Sequence, residues 1–124
     1  PVLFKGAARH MPAFDLWTDA YLRRRHGNVT LDQVETEKKE TRTKYPKDDW
    51  SLAKFLDRYN SSDIYSTAEM PKGLSDEVYL LPPINCGGYH AFMATSVIWF
   101  SSGQTKSVIH SDAQQNIHCM IAGK

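Results

Sequence analysis

The sequence has only two cysteines, Cys86 and Cys119, among 124 residues, too few for a disulfide framework. No secretory leader is visible either, so a reduced intracellular setting, cytoplasmic or nuclear, is expected. Long apolar runs are also lacking. Each falls far short of the ~20 residues a bilayer span needs, so no membrane insertion is expected. Charge of one sign does not dominate: 15 basic and 14 acidic residues leave a formal net charge of +1. No global field therefore favours nucleic acid. Arg23, Arg24 and Arg25 form the one tight basic cluster and read as the solvated end of a helix, while Lys38 and Lys39 are offset by Glu35, Glu37 and Glu40. Internal repeats and low-complexity tracts are absent. The chain opens at Pro1 without an initiator Met and closes on Ala122-Gly123-Lys124, the start of a turn. An excerpt of a longer protein is expected.

What is present is ordinary globular material, 41% hydrophobic and 23% charged, enough for one small domain. Val2, Leu3 and Phe4 suit a short buried or edge strand. Asp15 can cap a helix with Leu16, Trp17, Ala20 and Tyr21 at helical spacing; Trp17 and Tyr21 read as core. The helix should end at Arg25 or His26, with Gly27 as a left-handed stop. Residues 29–34 alternate as a half-exposed strand, and 35–47 read as a solvated loop or edge. Asp48 or Asp49 then caps a second helix that packs through Trp50, Ala53, Phe55, Leu56 and Tyr59. Asn60 to Asp63 breaks it, Ile64 and Tyr65 form a short strand, and 70–73 make a loop. Leu74 to Leu81 suits one or two helical turns stopped by Pro82 and Pro83.

The last third is rich in β-branched and aromatic residues. Three short strands are expected at Thr95–Phe100, Ser107–Asp112 and Asn116–Ala122, with a turn at 101–104, and together they imply an antiparallel sheet. On the second of these strands lies His110-Ser111-Asp112. Positions i and i+2 of a strand share a face, so imidazole and carboxylate can meet one ion. Two histidines and a carboxylate on one face leave positions open for a chelating cosubstrate and dioxygen on Fe(II). By itself the triplet decides nothing: from composition, roughly half of such chains would carry one by chance.

Its surroundings carry more. The stretch from Val97 to Gly123 resembles the metal-binding core of the JmjC/cupin-like Fe(II)- and 2-oxoglutarate-dependent oxygenases, the asparaginyl and lysyl hydroxylases among them. The elements that match are Gly103 in the turn, Ser107 three positions before His110, the His-x-Asp itself, and Asn116 after Gln114-Gln115. Upstream, the opening Pro1–Ala7 and the helix expected at Trp50–Tyr59 follow the family's order. The resemblance implies an α+β fold in which N-terminal helices pack on the first strands of a double-stranded β-helix (jelly roll), incomplete here. Residues 1–93 would be the supporting region and 94–124 the first core strands.

It also implies a site. His110 and Asp112 would ligate Fe(II), with Ser111 or a backbone carbonyl orienting the imidazole. Ser107 and Tyr65 would reach the distal carboxylate of the cosubstrate 2-oxoglutarate, Asn116 would line the same pocket, and His118 would share its face. The activity implied is hydroxylation of a side chain on a protein substrate, with succinate as co-product; nucleic acid and membrane are not expected as partners. The family's second histidine and its cosubstrate lysine fall beyond Lys124, so the chain would hold two of three metal ligands and have little activity alone.

Other chemistries are open at this point. A non-catalytic cupin-like binding module would keep the His and Asp as pocket lining. A zinc site could draw on Cys86 and His90 at Cys-x3-His spacing and on His118-Cys119, but there is no Cys-x2-Cys, and neighbouring strand residues face opposite sides. A Ser-His-Asp hydrolase lacks its Gly-x-Ser-x-Gly elbow.

Overall fold

The computed structural model describes residues 2–36, 43–44, 49–79, 81–103 and 109–123; the side chains of Pro83, Tyr89 and His90 stand outside that description. Along it run five short helices, α1 (Pro12–Leu16), α2 (Asp19–His26), α3 (Leu52–Leu56), α4 (Lys72–Ser75) and α5 (Pro82–Asn85). The strands are β1 (Thr30–Leu31), β2 (Val34–Glu35), β3 (Trp50–Ser51), β4 (Tyr65–Glu69) and β5 (Val97–Ser101). The class is mixed α+β, with antiparallel sheets, as expected.

The single helix expected from Asp15 is in fact two. Pro12 opens α1 at its first turn, where its missing N–H is no loss. Trp17 then leaves the helical region at φ −74°, ψ 77°. Thr18 restarts the helix by accepting the Tyr21 N–H at 3.2 Å on its hydroxyl. The end at His26 is as expected, but Gly27 is right-handed (φ −57°), not a left-handed stop. Its need for glycine is spatial: an ideal Cβ would lie 2.3 Å from the Arg23 carbonyl oxygen and 3.3 Å from Ala53 Cβ. The Gly27 carbonyl accepts the Ala53 N–H at 2.9 Å, so α2 and α3 meet backbone to backbone.

The alternation over 29–34 resolves into two strands in different sheets. β1 pairs with β3, Leu31 opposite Trp50, whereas β2 pairs with β4, Val34 opposite Ser66. Glu35, expected in a solvated loop or an edge, lies in β2 at the edge of its sheet but is buried there. Ser51 rather than Asp48 or Asp49 caps α3, accepting the Lys54 N–H at 3.2 Å. Pro82 starts α5 instead of stopping a helix, and the helical turn expected from Leu74 begins two residues earlier, at Lys72 inside the expected loop, and ends at Ser75. Val2, Leu3 and Phe4 form no strand and are exposed.

β4 and β5 pair along their full lengths in a three-stranded sheet of order β2-β4-β5. Their period-two pattern turns Ser66, Ala68 and Ile98 inward and leaves Thr67, Val97 and Trp99 on the outer side. The main core gathers Leu22, Leu31, Val34, Trp50, Leu52, Phe55, Leu56, Ile64 and Leu74 against those inward residues. Phe55 stacks on Tyr59 at 5.6 Å and meets Phe100 at 5.3 Å. A second, smaller core joins Met11, Ala13 and Leu81, with Trp17, Val78, Ile84, Cys119 and Ile121 packed on it. Among the described residues no helix is long and apolar enough to cross a membrane.

Candidate functional site

After β5 the chain turns at Ser101-Ser102-Gly103. Gly103 adopts φ 97°, a conformation that favours glycine, and its N–H reaches the Ser101 hydroxyl at 3.2 Å. Of the two further strands expected in this region, Asn116–Ala122 does not form, and the described part of Ser107–Asp112, residues 109–112, carries none. Residues 109–123 carry no strand, and 109–118 are exposed throughout. Such a segment has no neighbouring strand to satisfy its backbone, so hydration takes the place of a ladder. The same-face argument for His110 with Asp112, and for Asn116 with His118, therefore has no strand to rest on.

His110 and Asp112 nevertheless meet. His110 Nε2 lies 3.4 Å from Asp112 Oδ1, and the two side chains are 54% and 50% exposed. The other carboxylate oxygen, Oδ2, accepts a hydrogen bond from Asn116 Nδ2 at 2.6 Å. One oxygen is thus held by an amide while the other faces the imidazole, an arrangement in which an outer partner orients a ligand atom. Two ligands of one first-row ion, each about 2.1 Å from it, stand about 3 Å apart at a right angle and about 3.4 Å apart at a tetrahedral angle. The donor pair fits two coordination positions of such an ion. Among the described residues, no set of three or more His, Cys, Asp or Glu converges to complete it.

The other expected site residues are dispersed. Ser107 lies outside the described residues. Tyr65 is half-buried at the start of β4, opposite Glu35 on one side and Ser101 on the other. His118 is exposed and, among the described residues, has no hydrogen bond or ion pair. For the zinc alternative, Cys86 is exposed and Cys119 is half-buried in the second core, where burial pushes its thiol pKa up. The side chain of His90 lies outside the described residues.

A polar centre that sequence reasoning missed sits between the two cores. Glu77, in the loop after α4, accepts the Trp17 indole N–H at 2.6 Å on Oε2 and the Tyr21 hydroxyl on Oε1; His26 Nε2 lies 3.2 Å from the same Oε1. Burial raises the carboxyl's pKa, but the hydrogen bonds from Tyr21, Trp17 and His26 and the imidazole's charge together outweigh it, and the group is held below its ordinary value. Tyr21 shifts the other way, chiefly through its hydrogen bond to Glu77. No local pattern announces this cluster, because its members lie 51 to 60 residues from Glu77 in sequence.

The family model of the cupin-like domain matches residues 1–124. No curated protein and no solved structure shows a significant match to the chain. The chain belongs to the cupin-like domain family.

Proposed function

We propose that this cupin-like domain is part of an Fe(II)- and 2-oxoglutarate-dependent oxygenase that hydroxylates a protein side chain. Residues 94–124 carry the metal-binding part and 1–93 support it. The observation that carries the reading is the convergence of His110 Nε2 and Asp112 Oδ1, with Asp112 oriented by Asn116. This occurs within a chain whose whole length matches the cupin-like family.

His110 and Asp112 would hold Fe(II), and a histidine from outside these residues would be the third ligand. Bound iron with 2-oxoglutarate supplies the oxidising chemistry. The chain's own part is to hold and orient. Asn116 keeps Asp112 Oδ2 engaged, so that Oδ1 is the oxygen presented beside the imidazole. Tyr65, Ser107, Asn116 and His118 are the proposed cosubstrate contacts. The protein partner follows from the family resemblance and from a net charge of +1, which provides no basic footprint for nucleic acid.

The test is iron-dependent conversion of 2-oxoglutarate to succinate by the full-length protein. Turnover that is lost in both His110→Ala and Asp112→Ala supports the oxygenase. A full-length protein that binds neither Fe(II) nor Co(II) overturns it. That result would favour the second reading, a non-catalytic cupin-like binding module, to which the half-exposed and incomplete ligand set also lends itself.

A further inference from the structure

The Glu77 carboxylate lies outside the proposed iron site, yet it ties together more of the chain than any ligand there. Its side chain engages Trp17, Tyr21 and His26, and its backbone carbonyl accepts the Ala13 N–H at 3.0 Å. One residue is thereby fixed to both α1 and α2. His26, 7% exposed, is held on its other side by α4: a Cβ on Gly73 would come within 3.3 Å of its Nδ1. Directly after Glu77 the chain enters the second core with Val78, Leu81 and Ile84, and on that core pack Cys119 and Ile121. Since residues 109–118 are exposed throughout, the packing nearest to His110, Asp112 and Asn116 on their C-terminal side is this pair.

We infer that Glu77 is a positioning residue: by clamping Trp17, Tyr21 and His26 it fixes Val78, Leu81 and Ile84 against Met11, Ala13 and Trp17, and so fixes the Cys119–Ile121 anchor of the loop bearing His110 and Asp112. The anchoring stands on packing alone, and only its consequence for the loop rests on the iron reading. The charged surroundings carry both signs. From α2 come Tyr21 and His26, with Arg24 and Arg25 acting on the Tyr21 phenol. α4 faces His26 with the backbone of Gly73 and carries Lys72, Asp76 adjoins Glu77 in the chain, and α1 bears Asp15. With its carboxyl held below the ordinary range, the clamp stays closed at neutral pH and opens in acid.

The two thiols make this measurable. Cys86 is exposed and serves as internal reference, whereas Cys119 reports opening of the second core. Both are labelled with a pyridyl disulfide, which reacts in acid as well as at neutral pH, and the Cys119-to-Cys86 rate ratio is followed. Glu77→Gln should raise that ratio about tenfold at neutral pH, the effect of losing a charge-assisted hydrogen bond on a local opening equilibrium. In the unmodified chain the ratio should climb towards the same level in acid, and in Glu77→Gln it should be flat with pH. Trp17→Phe, which removes one donor, should fall between the two and keeps the test intact if Glu77→Gln does not fold.

An unchanged ratio in these variants, or an acid rise that merely tracks loss of the far-ultraviolet circular dichroism, overturns the anchoring. Co(II) titration of the same full-length proteins separates the two claims. Faster Cys119 labelling in Glu77→Gln with unchanged Co(II) affinity rejects the positioning of the loop. Absence of Co(II) binding in the unmodified protein refutes the iron reading and leaves the labelling result to decide the anchor.

Discussion

His26 and Glu77, 51 residues apart in sequence, meet with Nε2 and Oε1 at 3.2 Å between the two hydrophobic cores. Each also serves a second contact: the imidazole lies over Gly73, and the carboxylate accepts from Trp17 and Tyr21. The pair therefore joins α2, α4 and the approach to the second core at one point.

A pH dependence of stability follows from this point. Glu77's folded pKa lies below its ordinary value, so its contribution is complete above the unfolded-state value and is lost as pH falls through the folded one. Tyr21 is raised, so its contribution is present below the ordinary phenol value and lost as pH rises past the folded one. Urea unfolding as a function of pH should show stability falling in acid, and Glu77→Gln should remove much of that slope. At neutral pH the substitution should cost about 2 kcal/mol, the range for a partly buried charged hydrogen-bond partner.

Phe55 is fully buried and links α3 to Tyr59 and Phe100. Phe55→Ala should destabilise the chain by about 3–5 kcal/mol, the usual loss when a core aromatic is truncated and its cavity only partly collapses. Chemical denaturation monitored by tryptophan fluorescence would show the shifted midpoint, since Trp50 is buried in the same core.

Gly27→Ala tests whether glycine is required there for space rather than for backbone freedom. Its φ of −57° suits any residue, but a Cβ would lie 2.3 Å from the Arg23 carbonyl oxygen. The expected cost is about 1–3 kcal/mol, from distortion of the last turn of α2 with added crowding against Ala53 of α3. Stability equal to or above that of the unmodified protein in thermal unfolding would show that the contact relaxes freely.

Asn116→Ala should weaken metal affinity about 10–100-fold, as loss of a group that orients a ligand does, without altering global stability, because Asn116 and Asp112 are exposed. Co(II) titration with the full-length protein measures the first and thermal unfolding the second. Equal affinity in both proteins would remove Asn116 from the site.

Local chemistry could be read where it is self-contained. β5 was legible because Val97 to Phe100 is β-branched and aromatic, and the end of α2 because Gly27 follows His26 as punctuation. Helix starts were misread. Asp15, Asp48 and Asp49 are good caps in isolation, but Thr18 and Ser51 hold the extended backbone from which a hydroxyl reaches the third N–H onward. Gly27 was legible as punctuation but not as a packing position, because Ala53 is distant in sequence. The candidate ligands were found by motif. Their geometry was not, since a strand at 107–112 requires a partner that no described residue provides.

The sequence by itself determined an α+β domain of the cupin-like kind and put His110 and Asp112 forward as a pair, because two residues so close in the chain can meet without help from the rest of the fold; the bond from Asn116 to Asp112 came from the structure. Tertiary structure decided the division into two cores, the burial of Glu35 and the contacts of Glu77. Each depends on groups distant in sequence: Glu35 faces Tyr65 of β4, Leu81 joins Met11 and Ala13, and Glu77 gathers donors 51 to 60 positions away that satisfy its charge.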